Sequence, residues 1–402
     1  MIWKSTRLET ITEVITKGTT PTTLGYDFAE RGIPFLRVQN ITGGNVNYEN
    51  DTLFIDAKTH ASLSRSQIQP GDILVSIAGT IGRAGVVPAN APPLNCNQAV
   101  AIIRPTQQVF RPFLRLWIES SAAQSQIRNS TVTGTISNLS LGQLGNLEIP
   151  LPPLAEQRRI AEVLDRAEAL RTKRRAALAQ LDALTQSLFL DLFGDPVANE
   201  RKWPVRAVND FVAGFESGKS IVADDEDDTM SPYRVLKVSA VTSLEFRPEQ
   251  SKAMPPDYEP PKSHIVRAGD LLFSRANTAE LIGATAYVSK TPPNLLLPDK
   301  LWRFVWHDEP KANPHFVRFL FQQPKFRREI TQRASGTSGS MKNISQDKVL
   351  TIEVGLPPLA QQREFARRVT AVEKLKTAQR ASLAELDALF ATLQHRAFRG
   401  EL

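Results

Sequence analysis

One segment of this chain occurs twice. Leu151 to Phe193 opens L-P-P-L-A-E-Q-R and runs on through L-A-Q-L-D-A-L; Leu356 to Phe398 opens L-P-P-L-A-Q-Q-R and runs on through L-A-E-L-D-A-L. The copies start 205 residues apart (151 to 356), align without a gap and share about half of their residues. An internal repeat of this kind dictates the architecture before any local reading does. Fainter echoes precede each copy. Trp3, Leu8, Ile11, Ile15 and Gly18 match Trp203, Val208, Phe211, Phe215 and Gly218. G-D-I-L-V-S at 71–76 matches G-D-L-L-F-S at 269–274, and Gly134, Asn138 and Ser140 match Gly339, Asn343 and Ser345. The chain is two tandem halves of roughly 200 residues. Each is a divergent globular region followed by a near-copied segment.

The copied segment reads as a long helix. Pro152-Pro153 and Pro357-Pro358 stop what precedes them and restrict the entry. About 40 residues rich in Ala, Leu, Arg, Glu and Gln follow without Gly or Pro. Ile160, Val163, Ala167, Leu170, Ala177, Leu181, Leu184 and Leu188 fall on alternating steps of three and four, as do Phe365, Val372, Leu375, Leu386, Leu389 and Leu393. Arg174 and Gln379 interrupt both stripes at the same place. A helix roughly 60 Å long with so narrow a stripe is expected to pair with its own copy, antiparallel.

The globular halves read as mixed α/β. Candidate strands are Phe35–Gln39, Ile73–Ile77, Val100–Ile103, Tyr233–Val238, Leu271–Ser274 and Trp302–Val305, and candidate helices are Phe113–Arg128 and Phe316–Arg333. The expected organisation is a globular domain over 1–150, a spacer helix over 151–195, a second globular domain over 196–355 and a second spacer helix over 356–402. The whole is a pseudo-two-fold tandem repeat with an antiparallel coiled coil.

Composition narrows the function. The net charge is +7, which favours an anionic partner. Residues 1–150 carry 12 basic and 10 acidic groups and residues 196–355 carry 22 and 20, so each lobe must bind through local patches. Cys96 is the single cysteine, which excludes an internal disulfide and fits a reducing cytoplasm. Five scattered histidines give no metal-ligand spacing. Neither an apolar leader nor an apolar run long enough for a membrane span is expected.

The doubled L-P-P-L-A-x-Q-R, the Leu-seamed helix after each copy and the G-D-[IL]-L-x-S segment in each half resemble the DNA-specificity subunits of Type I restriction–modification systems over essentially the whole chain. The resemblance implies two target-recognition domains, each reading one half of a split, asymmetric site on double-stranded DNA, with the paired helices as the ruler between them. It implies two methyltransferase (modification) subunits docked on this scaffold, and restriction subunits that translocate and cut DNA. S-adenosylmethionine, ATP and Mg would then belong to the partners, and this chain would hold no cofactor, no metal and no catalytic residue.

DNA contacts should come from cationic and amide side chains near glycine-containing loops. In the first half these are Lys17, Thr19, Arg37, Gln39, Asn40, Arg83, Asn97 and Gln98, with Thr133, Thr135 and Ser137 in a polar loop. In the second half they are Lys219, Lys237, Arg275, Asn277, Lys300 and Arg303, with Ser340, Lys342 and Asn343 in the matching loop. Arg158, Arg159, Arg171, Arg367 and Lys376 are expected on the outer helix faces, toward the modification subunits.

Several short motifs point elsewhere and fail on spacing. Gly214 to Ser220 is one residue short of a Walker loop. Asn313-Pro314-His315-Phe316 lacks the cofactor pocket a methyltransferase needs and reads as helix entry. Pro298-Asp299 with Glu309-Pro310-Lys311 fits a nuclease pattern except that Pro310 would sit inside a strand. The acidic run Asp224–Asp228 lacks the spacing of a calcium loop. An autonomous methyltransferase or nuclease would show activity by itself; a pure coiled-coil adaptor would bind without salt dependence. Leu181→Asp combined with Leu386→Asp places charges in the seam and is expected to abolish folding or half-site spacing. Near-normal modification by a complex carrying the double variant would refute the ruler.

Overall fold

The computed structural model describes residues 3–130, 138–219, 231–336 and 341–402. The chain divides into two compact units, residues 1–176 with 381–402, and residues 177–380. Each unit therefore takes one lobe together with half of each long helix.

In the first unit, Thr12–Lys17, Val100–Pro105, Ile73–Ser76, Ala84–Val86, Gly44–Val46 and Ile41–Thr42 form one sheet in that order. Leu53–Ile55, Ile33–Leu36, Leu94–Cys96 and Gln67–Ile68 form another. The second unit repeats the plan. Gly214–Ser217, Leu301–Val305, Leu271–Ser274 and Thr285–Tyr287 hydrogen-bond in the same order, as do Ser251–Ala253, Arg234–Leu236 and Leu295–Leu296. Pairing directions match too: Ile33–Leu36 and Arg234–Leu236 each run antiparallel to one neighbour and parallel to the other.

The central strand V-A-I-I at 100–103 is buried on both faces, which its unbroken apolar run requires. Ala101 and Ile103 join Phe113, Leu114 and Trp117 in a helix-covered cluster, while Val100 and Ile102 join Leu36, Leu94 and Cys96 of the second sheet. In the second unit Phe273 and Phe304 face Phe316 and Phe321, and Leu272 and Leu301 face the other cluster. Each lobe is thus helices, sheet and second sheet in layers.

The G-D segments are structural. Asp72 is 1% exposed. It accepts the Gln69 amide at 2.7 Å and two guanidinium hydrogen bonds from Arg104 at 2.8 Å. Asp270 repeats this with the Arg267 amide at 2.8 Å and Arg303 at 3.3 Å.

Two expected helices are each broken in two. The first lobe has Arg111–Ile118 and Ser121–Ser130, with the Ser120 hydroxyl accepting the Ala123 amide at 3.3 Å; the second has Pro314–Gln322 and Pro324–Arg333. Pro324 has no N–H to continue the first segment and pushes Gln323 to ψ 137°. The strand expected to reach Gln39 stops at Leu36, because the Asn40 side chain captures the Arg37 amide at 2.8 Å and a 3-10 turn follows.

The long helices are Leu154–Phe193 and Leu359–Ala397. The glutamine of each L-P-P-L-A-x-Q-R motif staples the helix start to its lobe. Buried Gln157 accepts the Phe110 amide at 2.7 Å and donates to the Pro152 carbonyl at 2.8 Å; buried Gln362 accepts from Asn313 at 2.8 Å and donates to Pro357 at 2.8 Å. Within the first unit Arg159 donates to the Leu402 carbonyl at 3.0 Å and Arg171 to Asp387 at 2.6 Å, so the partner number falls as the helix advances. Within the second unit Asp182 meets Lys376 at 2.6 Å, and Phe189 and Phe193 meet the Phe365 ring at 5.5 and 5.4 Å. The pairing is antiparallel in both, as a coiled coil.

The seam differs from the expected one at mid-helix. Ile160 and Phe365 are buried, and Leu181, Leu188, Leu386 and Leu393 are half-buried. Leu170, Leu184, Leu375 and Leu389 are instead exposed, at 54, 44, 54 and 50%. The stripe passes one residue further on, through Arg171, Thr185, Lys376 and Phe390. Hydrophobicity misplaced it because the seam carries cations there: Arg171 and Lys376 lie between the helices, not on the outer faces, and satisfy their charge on Asp387 and Asp182 of the opposite helix.

Phe189→Ala should cost about 3–5 kcal/mol of unfolding free energy, while Leu170→Ala should change it by no more than about 0.5 kcal/mol, read by denaturant titration. Asp72→Ala, which strands Arg104, should cost about 3 kcal/mol in the same measurement.

Candidate nucleic-acid interface

A glycine places the same construction in each lobe. The Gly18 amide donates to the Val100 carbonyl at 3.0 Å, the Thr19 amide to Cys96 at 3.1 Å, and the Gly218 amide to Pro298 at 3.1 Å. A Cβ at Gly18 would stand 2.1 Å from the Cys96 carbonyl oxygen, and one at Gly218 would stand 1.7 Å from that of Leu297. Only glycine permits this approach. It brings the residue after the glycine against the end of a parallel strand pair, Ile33–Leu36 with Leu94–Cys96, or Arg234–Leu236 with Leu295–Leu296.

In the first lobe this gathers Thr19, Arg37, Asn97 and Gln98. The Asn97 amide donates to Leu36 at 3.0 Å, and the Thr20 hydroxyl bonds the Gln98 side chain. Arg37 is half-buried, 3.5 Å from the Asp51 carboxylate, and Gln39 donates to that carboxylate at 2.6 Å. Asn40 is only 2% exposed and bonds the Asp51 carbonyl and Thr52, so its amide is spent inside the fold. Lys17 is half-buried at the end of its strand. Arg83 is exposed in a separate hollow of about 310 Å³ beside Thr42 and Glu119. Thr133, Thr135 and Ser137 lie outside the described residues.

In the second lobe the construction opens into a hollow of about 410 Å³, lined by Lys219, Lys237, Lys252 and Lys300 together with Ser239 and Asp299. Lys252 was invisible to sequence reasoning. It enters because it pairs across the sheet with Val235, a long-range register that no local pattern announces. Burial, and then the charges of Lys219 and Arg303, hold the His264 imidazole below the usual histidine range. Arg275 donates to the Asp299 carbonyl at 2.7 Å, and its guanidinium lies 6.0 Å from the Trp302 ring. Asn277 pairs with Lys342 on a short ribbon that also holds Asn343; Lys342 and Asn277 are half-buried and Asn343 is exposed. Ser340 lies outside the described residues. Arg303 is spent on the fold, pairing with Glu216 at 2.7 Å and Asp270 at 3.3 Å and donating to the carbonyls of Ser263 and Ile265.

The competing motifs take structural roles. Gly214–Ser217 is a strand paired with Leu301–Val305, not a phosphate loop. Asn313 caps the helix Pro314–Gln322 by accepting the His315 amide at 2.9 Å. Asp299 stands 3.7 Å from Arg275, and Glu309 is exposed. The acidic run Asp224–Asp228 lies outside the described residues. Among the described residues, no helix is long and apolar enough to cross a membrane.

Residues 2–180 match the family model described as the Type I restriction modification DNA specificity domain. The chain is 26% identical over 391 residues to the Type I restriction enzyme EcoKI specificity subunit of Escherichia coli K12, covering 92% of this chain and 82% of that protein. It is 31% identical over 202 residues to the EcoBI specificity subunit of Escherichia coli, covering 49% and 41%. Among solved structures it is similar to a chain from a study of complex assembly and conformational transition of the type I R-M system (TM-score 0.59, 19% identity, 100% and 98% coverage). It is also similar to the Type-I restriction-modification system S subunit from M. genitalium (TM-score 0.56, 15% identity, 98% and 96% coverage). At these identities the structural likeness is one of fold. A specificity-domain match over residues 2–180, a second half built to the same topology, and relatives aligned over nearly the whole length agree: the chain is similar along its length to Type I restriction–modification DNA-specificity subunits.

Proposed function

We propose that this chain selects a bipartite, asymmetric site on double-stranded DNA, one half-site per lobe, with the paired helices setting the spacing and seating two modification subunits. One observation carries the reading. Two lobes of one topology present unlike side chains at matched positions, and each lobe is fixed to a half of both antiparallel helices. A reader duplicated and then diversified recognises two different sequences, and a stiff spacer holds half-sites at a set distance. The domains 1–150 and 196–355 are the two target-recognition domains, and 151–195 and 356–402 the spacers. Among the residues singled out for DNA contact, Lys219, Lys237 and Lys300 with Lys252, and Thr19 with Arg37, Asn97 and Gln98, are the ones that converge.

The helix flanks suit the docking role. Each unit exposes leucines from both helices, among them Leu170 and Leu389 in the first and their repeat-related counterparts Leu375 and Leu184 in the second. Two equivalent apolar patches fit two copies of one partner. Arg158, Arg159 and Arg367 are exposed and available to the rim of such contacts, where charges steer association more than they add affinity. Chemistry belongs to the partners. Methyl transfer uses their S-adenosylmethionine, while translocation and cleavage use ATP and Mg in the restriction subunits; this chain acts in the cytoplasm as the non-catalytic member.

The test exchanges residues 1–150 for the corresponding lobe of a related subunit in the assembled methyltransferase and maps the modified bases. One half of the modified sequence should change while the other half and the gap stay constant. Unchanged site choice would overturn the reading, as would methylation or cleavage by the isolated chain.

A further inference from the structure

We propose that Glu245 braces the second lobe against the spacer helix and thereby sets where the second half-site falls relative to the first. This deepens the DNA reading above and rests on it. The brace starts at the candidate interface, where Lys237 and Ser239 line the second-lobe hollow. The segment from Lys237 to Gln250 is closed on itself by backbone hydrogen bonds. The Lys237 amide donates to the Gln250 carbonyl and the Arg247 amide to that of Ala240, each at 2.9 Å. The first lobe builds the same loop, its Asn47 amide donating to the Asn40 carbonyl at 2.8 Å. At matched positions of the turn stand Gly44, with φ 76°, and Leu244, with φ 63°. A leucine in the left-handed region is strained, and such a conformation persists only where its surroundings hold it. The Leu244 carbonyl is held by the lobe helix Pro314–Gln322, accepting Arg318 at 3.1 Å and Gln322 at 3.4 Å.

Glu245, the next residue, reaches out of the lobe to the spacer helix Leu359–Ala397. Its carboxylate accepts Arg380 at 2.6 Å and the buried Lys376 at 3.3 Å. The lobe helix adds a second tie, since buried Arg318 lies 3.8 Å from Glu373 of the same spacer. These groups surround a hollow of about 300 Å³ within the second unit. Only eight residues along the chain separate Lys237 of the candidate interface from the carboxylate fixed on the ruler. The first lobe makes its tie through the arginine at the matching helix position. A Cβ at Gly44 would stand 2.6 Å from an Arg115 guanidinium nitrogen, and Arg115 meets Asp165 of its spacer at 2.9 Å. Successive base pairs are about 3.4 Å apart along the duplex axis. A lobe released by a few ångströms at its base would therefore reach a half-site one base pair nearer or farther. A turn clamped between Arg318 on one side and Lys376 and Arg380 on the other holds the lobe at one setting.

The test reads gap length in the assembled methyltransferase. Plasmid sites carry the two native half-sequences separated by the native gap, or by one base pair more or less, and methylation of each is measured. Glu245→Gln should raise modification of the off-length sites relative to the native gap by about tenfold, the factor for one hydrogen bond to a charged group. Arg380→Gln should do the same, and the double variant should add little, because both changes remove one contact. Glu249→Gln, which removes an exposed carboxylate of the same loop, should leave the ratio native. The ratio is taken within one complex, so a general change in stability or DNA affinity cancels. Arg380→Gln carries the test if Glu245→Gln fails to fold. A native ratio in both single variants would overturn the brace while leaving the DNA reading standing, as would an equal loss at every gap. A native complex indifferent to gap length would sink the DNA reading itself, and the brace with it.

Discussion

Two cations held between helices, Lys376 buried and Arg171 half-buried, set the terms for this structure. Arg171 and Lys376 occupy seam positions with side chains 17 and 4% exposed, and each finds its carboxylate on the opposite helix, Asp387 and Asp182 respectively, at 2.6 Å. Each residue of one bridge is the 205-residue repeat of its counterpart in the other. Burying such groups sacrifices hydration and adds less stability than leucine would in their place. What they contribute is register. Sliding one helix by a heptad would bring Arg171 opposite Arg380 or Gln394, and Lys376 opposite Arg175 or Phe189. An apolar seam tolerates such a slip far better, and polar groups at seam positions are the established device against it. The surrounding charges reinforce the arrangement: Glu168 pairs with Arg171, Glu373 with Lys376, and Glu245 of the second lobe reaches Lys376 and Arg380.

A defined register matters because each helix is fastened to a lobe at its start. Gln157 and Gln362 use their full amide to tie the helix entry to the cap of a lobe helix. Phe113 then meets Phe398 in the first unit, and Phe189 and Phe193 pack on Phe316 in the second. The residues shared by the two copies are those that build: the glutamine staple, the G-D aspartate that holds an arginine on the central strand, and the glycine that lets backbone touch backbone. The residues facing the hollows differ between the copies. A binding protein that must change what it reads without losing its frame would divide its sequence this way.

Much of the architecture was legible because it rests on short-range patterns. The repeat, the helix limits at Leu154–Phe193 and Leu359–Ala397, and the central strands follow from periodicity, Pro-Pro entries and glycine stops. Three of the errors share one cause, a position set by a residue distant in sequence. Leu170 and Leu375 looked like seam because Arg171 and Lys376, beside them, gave no sign of carboxylates waiting on the other helix. Arg303 had the chemistry of a base reader until Glu216 and Asp270 claimed it. Lys252 entered the basic hollow only through cross-strand register. The broken helix at Pro324 is different. Its signal stood in the sequence, and the apolar periodicity on either side outweighed it.

The central claim is that two unlike readers are held at one separation. The measurement closest to it maps every base methylated by the assembled modification complex across a randomised DNA library. The account predicts a single motif of two unrelated half-sequences separated by an invariant run of unspecified bases. A continuous motif, a palindrome, or half-sequences at variable separation would contradict it.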